Sequence, residues 1–161
     1  MIKMLVMDVD GTMTDGKIYM GDNGEVMKAF DIQDGYGIAH ILPDIGVVPV
    51  IITGRRSQIV ENRANELGIH ELYQGVSNKA VQLKTIAEEH DLKLEEVAYI
   101  GDDLNDLGCM QLCGLSACPQ NAVNEIKETV DYVCSHMGGH GAVREFIGYI
   151  QSQIVNIIKK K

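Results

Sequence analysis

Six short apolar runs, each closed by a turn, alternate along this chain with stretches of helical periodicity. The runs fall at about 2–9, 47–54, 71–76, 97–103, 114–118 and 130–134. Helical spacing fills about 35–43, 57–67, 78–91, 104–112, 121–128 and 141–159. Parallel strands need crossovers, and helices are the usual ones, so this alternation predicts an α/β fold. Its sheet is mainly parallel and is covered on both faces. One segment departs from the rule. "KIYMGDNGEVMKAF", residues 17–30, carries two strand-like runs around Gly21-Asp22-Asn23-Gly24 and predicts a β-hairpin over about 16–30. The length of 161 residues suits one domain, 1–161, with a sizeable core.

The first apolar run ends in two carboxylates, Asp8 and Asp10. Beside a buried strand such a pair loses water and repels itself, so a metal ion, a phosphate, or both must offset the cost. In an open α/β sheet, ligands sit beyond the carboxyl ends of the strands. Asp8 and Asp10, Thr53-Gly54 and Asp102-Asp103 all fall at such ends, and these ends point at one crevice.

Each residue type suits a part of phosphoryl chemistry. Asp8 is the candidate nucleophile toward phosphorus. Asp8, the Asp10 carbonyl and Asp102 are the candidate ligands of a Mg²⁺, which prefers a few oxygens and waters. That leaves the Asp10 side chain as general acid and then base, while Gly11 lets backbone approach the phosphate. Thr53 and Gly54 are candidates to hold the phosphoryl oxygens. Lys79, at a helix start that Ser77 or Asn78 can cap, is the expected cation. Arg55 and Arg63, eight residues apart around one helix, are expected to share a face and hold a second anionic group of the substrate. Taken singly, each motif is commonplace; the ordered set carries the argument.

Other classes recede. A net charge of −9 disfavours general binding to nucleic acid or anionic membrane. No apolar run reaches the ~18 residues of a membrane span, and the N-terminus has no export-signal pattern, so a cytoplasmic location is expected. Lys159-Lys160-Lys161 reads as a solvated helix end. Cys109, Cys113, Cys118 and Cys134 match no paired zinc spacing and read as free thiols in a reducing compartment. Cys134 and His136 are close enough in sequence for a soft-metal site, but buried small hydrophobes are the commoner use of free cysteine.

The order DVDGT (8–12), TGR (53–55), Lys79 and GDDLND (101–106) resembles the haloacid dehalogenase superfamily. With "DGKIYMGDNGEVMKAFDIQDGYGI", "LYQGVSNK" and "GGHGAVREF", the chain more closely resembles the capless 3-deoxy-D-manno-octulosonate 8-phosphate phosphatases of lipopolysaccharide synthesis. The resemblance spans residues 5 to about 147. It implies a Rossmann-like doubly wound fold without a large cap domain, a Mg²⁺ cofactor and the roles given to Asp8 and Asp10. It implies Asp102 as metal ligand, with Asp103 and Asp106 supporting the metal shell. It implies contacts to a small anionic sugar phosphate from Asp31, Ile32, Gln33, Asp34 and Gly35, and from Arg55, Arg63 and Lys79. It also implies a homotetramer in which one subunit's hairpin closes a neighbour's site. The hairpin residues Ile18, Tyr19, Met20, Val26, Met27 and Phe30 would be buried there. Space agrees: between Asp10 and Thr53 there is room for a hairpin and one helix only. Ala39 and His140 stand where arginine is common in the family, which leaves a nine-carbon sialic-acid-type 9-phosphate as an alternative substrate. A non-catalytic partner of a cytidylyltransferase is a further alternative. A signalling receiver domain is disfavoured by the order of its parts, since here the second acidic pair follows the lysine.

Overall fold

A computed structural model describes residues 1–159; Lys160 and Lys161 of the basic end lie outside the described residues. The apolar runs form strands β1 (Met4–Met7), β4 (Val48–Ile52), β5 (Glu71–Tyr73), β6 (Val97–Ile100), β7 (Leu115–Cys118) and β8 (Tyr132–Val133). They build one six-stranded sheet in the order β5-β4-β1-β6-β7-β8. Every pairing in it is parallel, with Met4 opposite both Val48 and Val97. The hairpin is a separate two-stranded sheet, β2 (Tyr19–Gly21) and β3 (Gly24–Met27).

The helices are α1 (Ile32–Tyr36), α2 (Leu42–Asp44), α3 (Gln58–Glu66), α4 (Lys79–Glu89), α5 (Leu107–Met110), α6 (Asn124–Lys127) and α7 (Ala142–Lys159). A π-helical turn at Gly37–Ile41 joins α1 to α2, so the single helix expected there runs from residue 32 to residue 44 with a wide middle. Strand alternation sorts the core into two layers. Leu5, Met7, Ile51 and Ile100 face Ile38, Leu42, Val60, Phe146 and Ile150 on one side. Met4, Val6, Val50, Ile52 and Tyr99 face Leu83, Ile86, Met110 and Ile126 on the other. The central strand β1 is buried at every residue, which is why its sequence is unbroken apolar rather than alternating.

The sheet order reverses at β1. After β1 the chain builds outward through β4 to β5, then returns to the other side of β1 with β6. The loops after β1, β4 and β6 therefore diverge around one crevice, the switch point where such folds bind ligands.

Candidate active site

Those three loops supply Asp8, Asp10, Thr53, Gly54, Arg55, Asp102 and Asp103, which line one cleft of about 290 Å³ together with Gly16 and Asn105. Asp8 takes its place by extending the β1 ladder: its N–H donates to the Ile100 carbonyl at 3.0 Å. Thr53 does the same beyond β4, donating its N–H to Tyr73 at 2.9 Å. Lys79 arrives from beneath, at the first residue of α4, whose N-terminus is capped by Asn78 accepting from the Val81 N–H at 3.1 Å.

Lys79 is almost fully buried and donates to Asp8 Oδ1 and to Asp106 Oδ1, both at 2.7 Å. Asp106 is completely buried, and both its oxygens are engaged. Oδ1 also accepts from the Tyr99 hydroxyl at 2.6 Å, and Oδ2 accepts from the backbone of Asp102 at 3.0 Å and Asp103 at 3.3 Å. Asp106 is thus a hub that orients Lys79 and the loop after β6. Asp103 caps the short 3₁₀ turn at 104–106, accepting from the Leu104 N–H at 2.7 Å.

Asp8, Asp102 and Asp106 each bring an oxygen within 4.8 Å of the others, with the Lys79 ammonium as the cation among them. Burial, and then repulsion from Asp106, push the Asp8 carboxyl well above the usual range, against the pull of Lys79. Burial and Asp106 push Asp102 up to about 6, although hydrogen bonds from Asp8 and Thr12 oppose this. Lys79 itself loses water on burial, but the two carboxylates hold it above an ordinary lysine. The cluster carries more negative charge than one ammonium balances, which is the condition a divalent cation relieves. Because Asp106 is saturated, Asp8 and Asp102 are the carboxylates with coordination left to offer. The Asp10 carbonyl accepts no hydrogen bond among the described residues. The donor set therefore fits a hard divalent cation. Gly11 makes the geometry possible: at φ +90° it passes so close to Asp102 that a Cβ would stand 2.1 Å from its Oδ2.

Other residues singled out in the sequence lie outside this chain's own cleft. Arg63 does not share a face with Arg55. Its guanidinium lies 5.5 Å from the Phe30 ring centroid, pairs with Glu66 at 2.8 Å and lines a second groove with Ile32, Tyr36 and Ala39. Eight residues on a 3.6-residue helix ought to return to one face, but Arg55 precedes α3 and is not helical. Nor do Asp31, Ile32, Gln33, Asp34 and Gly35 line this chain's cleft. Asp31 is the N-cap of α1, accepting from Gln33 and Asp34. Asp34 is buried and accepts from the Arg144 N–H at the start of α7 at 2.8 Å, so helix docking fixes it. Of the hairpin's apolar residues, Ile18, Met20, Val26 and Met27 are exposed, whereas Phe30 packs on the chain's own core. Cys134 is buried with its thiol toward the Ala142 carbonyl, while His136 pairs with Glu145.

Three contributors have no role assigned to them from the sequence. Thr12 donates to Asp102 Oδ1 at 3.2 Å. Asn121 ties Gly138 to the Gly11 carbonyl, at 2.6 and 2.9 Å, so the loop before α7 braces the loop after β1. Lys28, at the end of the hairpin, reaches Asp10 Oδ1 at 2.5 Å and Glu25 at 2.9 Å. Burial alone would lower its ammonium, but the two carboxylates hold it above the ordinary lysine value.

Among known proteins, the sequence model of the haloacid dehalogenase-like hydrolases matches residues 51–147. The chain is 48% identical over 145 residues to the 3-deoxy-D-manno-octulosonate 8-phosphate phosphatase KdsC of Escherichia coli K12, spanning 89% of this chain and 76% of that one. The crystal structure of the Yersinia pestis phosphatase of that name is similar with a TM-score of 0.87 at 46% identity, over 91% of this chain and 78% of the other. The Moraxella catarrhalis phosphatase, in complex with magnesium ion, phosphate ion and a KDO molecule, is similar with a TM-score of 0.90 at 37% identity, over 99% and 92% of the two chains.

Proposed function

The chain belongs to the haloacid dehalogenase-like hydrolases, and within them to the 3-deoxy-D-manno-octulosonate 8-phosphate phosphatases; on that premise we propose how its residues carry out the reaction. It is a Mg²⁺-dependent phosphoric monoester hydrolase that frees inorganic phosphate from 3-deoxy-D-manno-octulosonate 8-phosphate, a step of lipopolysaccharide synthesis. The observation that carries the mechanism is Lys79 bridging Asp8 and Asp106 beside Asp102, at one end of a cleft also lined by Asp10 and Thr53.

An oxygen of Asp8 forms a bond to phosphorus as the bond from phosphorus to the sugar oxygen breaks, giving an aspartyl phosphate. Asp10 gives its proton to the departing alkoxide. It then takes a proton from the water that attacks the same phosphorus, so that phosphate leaves and Asp8 is restored. The Thr53 hydroxyl and the Gly54 amide hold the phosphoryl oxygens. Lys79 keeps the nucleophile aimed, and Asp106 and Asp103 keep Lys79 and Asp102 in place. Mg²⁺ held by Asp8, the Asp10 carbonyl and Asp102 offsets the repulsion between the carboxylates and the incoming phosphate. Arg55, half exposed at the rim, pairs with the sugar carboxylate.

We read the chain as a single phosphatase domain working in the cytoplasm. Met20, Val26 and Met27, exposed on a hairpin too short to be stable alone, support assembly with further copies, in a homotetramer where the hairpin helps close a neighbour's cleft.

Phosphate release from the eight-carbon 8-phosphate and from a nine-carbon 9-phosphate tests the reading. Turnover should favour the former, stop on chelation of divalent ions, and stop in Asp8→Asn. A phosphorylated peptide containing Asp8 should be trapped by acid quench and seen by mass spectrometry. Full activity in Asp8→Asn or in chelator would sink the mechanism.

A further inference from the structure

Lys28 is an unusual side chain for a surface hairpin, because its ammonium side chain is only 1% exposed. It touches two carboxylates that belong to different parts of the fold. One is Asp10, in the loop after β1; the other is Glu25, three residues earlier on β3. Glu25 in turn reaches the loop after β4. Its Oε1 accepts from the Ser57 hydroxyl at 2.7 Å, and its Oε2 lies 3.7 Å from Arg55. A chain of contacts thus runs from Asp10 through the hairpin to the loop after β4.

The hairpin is built to make this reach. Tyr19 pairs with Met27 but Met20 pairs with Glu25, so Val26 is an extra residue, a β-bulge. Strand alternation alone would put Glu25 and Lys28 on opposite faces, since they are three apart. The bulge shifts the alternation by one and brings both to the face that meets Asp10 and the loop after β4.

We propose that Lys28 is the positioning residue for Asp10: it fixes the carboxyl group of the acid–base residue in the orientation that serves the leaving group, and ties that orientation to the hairpin. An ammonium only donates hydrogen bonds, so its contact occupies Asp10 Oδ1 as an acceptor. The proton that Asp10 gives to the departing alkoxide is therefore carried on Oδ2, the oxygen Lys28 leaves free. Without Lys28 the carboxyl group can rotate about its own bond, and neither oxygen is held toward the sugar. Glu25 holds Lys28 from the other side, so that displacing the hairpin releases Asp10.

This inference rests on the reading of Asp10 as proton donor, and the test separates the two. An alkyl phosphate such as the sugar 8-phosphate needs a proton on its leaving oxygen, whereas 4-nitrophenyl phosphate leaves well without one. The quantity read is kcat/KM for each, which reports on the phosphoryl-transfer step. Lys28→Met should lower it for the sugar phosphate by about 10²-fold and for 4-nitrophenyl phosphate by less than about threefold, a typical range for lost general-acid alignment. Lys28→Arg, which can still bridge both carboxylates, should recover the sugar-phosphate value to within about tenfold. Glu25→Gln, which leaves Lys28 in place, gives the same selectivity in smaller measure and serves if Lys28→Met does not fold. Asp10→Asn should show the leaving-group selectivity at full size. If Asp10→Asn is selective but the Lys28 and Glu25 variants slow both substrates equally, or neither, Lys28 does not position Asp10. If Asp10→Asn is itself unselective, the donor role fails and the role of Lys28 falls with it.

Discussion

Tyr99→Phe removes one oxygen atom from the support beneath the active site and nothing else. Tyr99 is wholly buried on β6, its ring packed in the cluster with Leu83, Ile86 and Met110. Its hydroxyl donates to Asp106 Oδ1 at 2.6 Å. Burial, and then the charge of Asp106, hold the phenol far above its ordinary value, so it donates at every working pH. Phenylalanine keeps the packing. Asp106 keeps its bonds from Lys79 and from two backbone amides, so it is not orphaned. What is lost is one hydrogen bond to an ionised acceptor, about 1.5–3 kcal/mol. Asp106 keeps three other donors, which puts the loss near the lower end of that net range, about 1.5 kcal/mol. For a chain of this length that is a fall in Tm of about 3–6 °C. Urea unfolding at matched protein concentration should show a lower midpoint with an unchanged slope. Activity should fall by less than about tenfold, because Lys79 still holds Asp8. An unaltered midpoint would refute the view that Asp106 is held by four donors. A loss above about 4 kcal/mol would mean that Tyr99 supports more than this bond.

Asp34 gives a pH test away from the cleft. Burial pushes its carboxyl up to about 6 against the opposing N–H of Arg144. A folded value above the unfolded one means that stability is lost as pH rises from about 4 through 6. Asp34→Asn should flatten that slope in urea midpoints taken at pH 4.5 and 7.5. It should raise stability at the higher pH by about 1 kcal/mol, less than the full linkage term because its amide NH₂ inherits the unpartnered position of Oδ2. A steeper fall with pH in the variant would reverse the assignment. Arg55→Ala should raise KM about tenfold for carboxylated sugar phosphates and little for plain phosphate esters. Arg63→Ala should instead lower the melting temperature, through its lost packing on Phe30, and leave KM nearly unchanged; a KM effect at Arg63 alone would contradict its place outside the cleft. Val26→Lys, on the exposed hairpin, should shift sedimentation toward smaller species, and an unchanged profile would remove that residue from any interface.

Much of the architecture is legible in the sequence, and for a definite reason. Each strand is short, apolar and closed by a turn, so the six runs at β1 and β4 to β8 announce themselves locally. The crevice follows once Asp8, Thr53 and Asp102 are seen at three strand ends, whereas the strand order that reverses at β1 belongs to the structure. The Asn78 cap that starts α4 at Lys79, and the Asp106 carboxylate that holds the Asp102 N–H, are local and follow from nearby residues, whereas the ladder bond that aims Asp8 reaches Ile100 on β6. Lys28 was not legible, because a bulge at Val26 overrides the two-residue period on which a sequence reading depends. Arg63 and Arg55 do not share a face because helical spacing relates only residues within α3, and Arg55 precedes it.

From its residues alone this chain settles its class of fold and the chemistry its strand ends can perform, since strand formation and the chemical character of aspartate, threonine and lysine are local properties. Which oxygens stay free belongs to the tertiary structure. Asp106 becomes saturated, Asp34 becomes a helix cap and Asp10 becomes tethered to the hairpin only when segments up to 110 residues apart close on one another. Hydrogen-bond capacity and lost solvent are shared across those contacts, and neither quantity exists until the chain has folded.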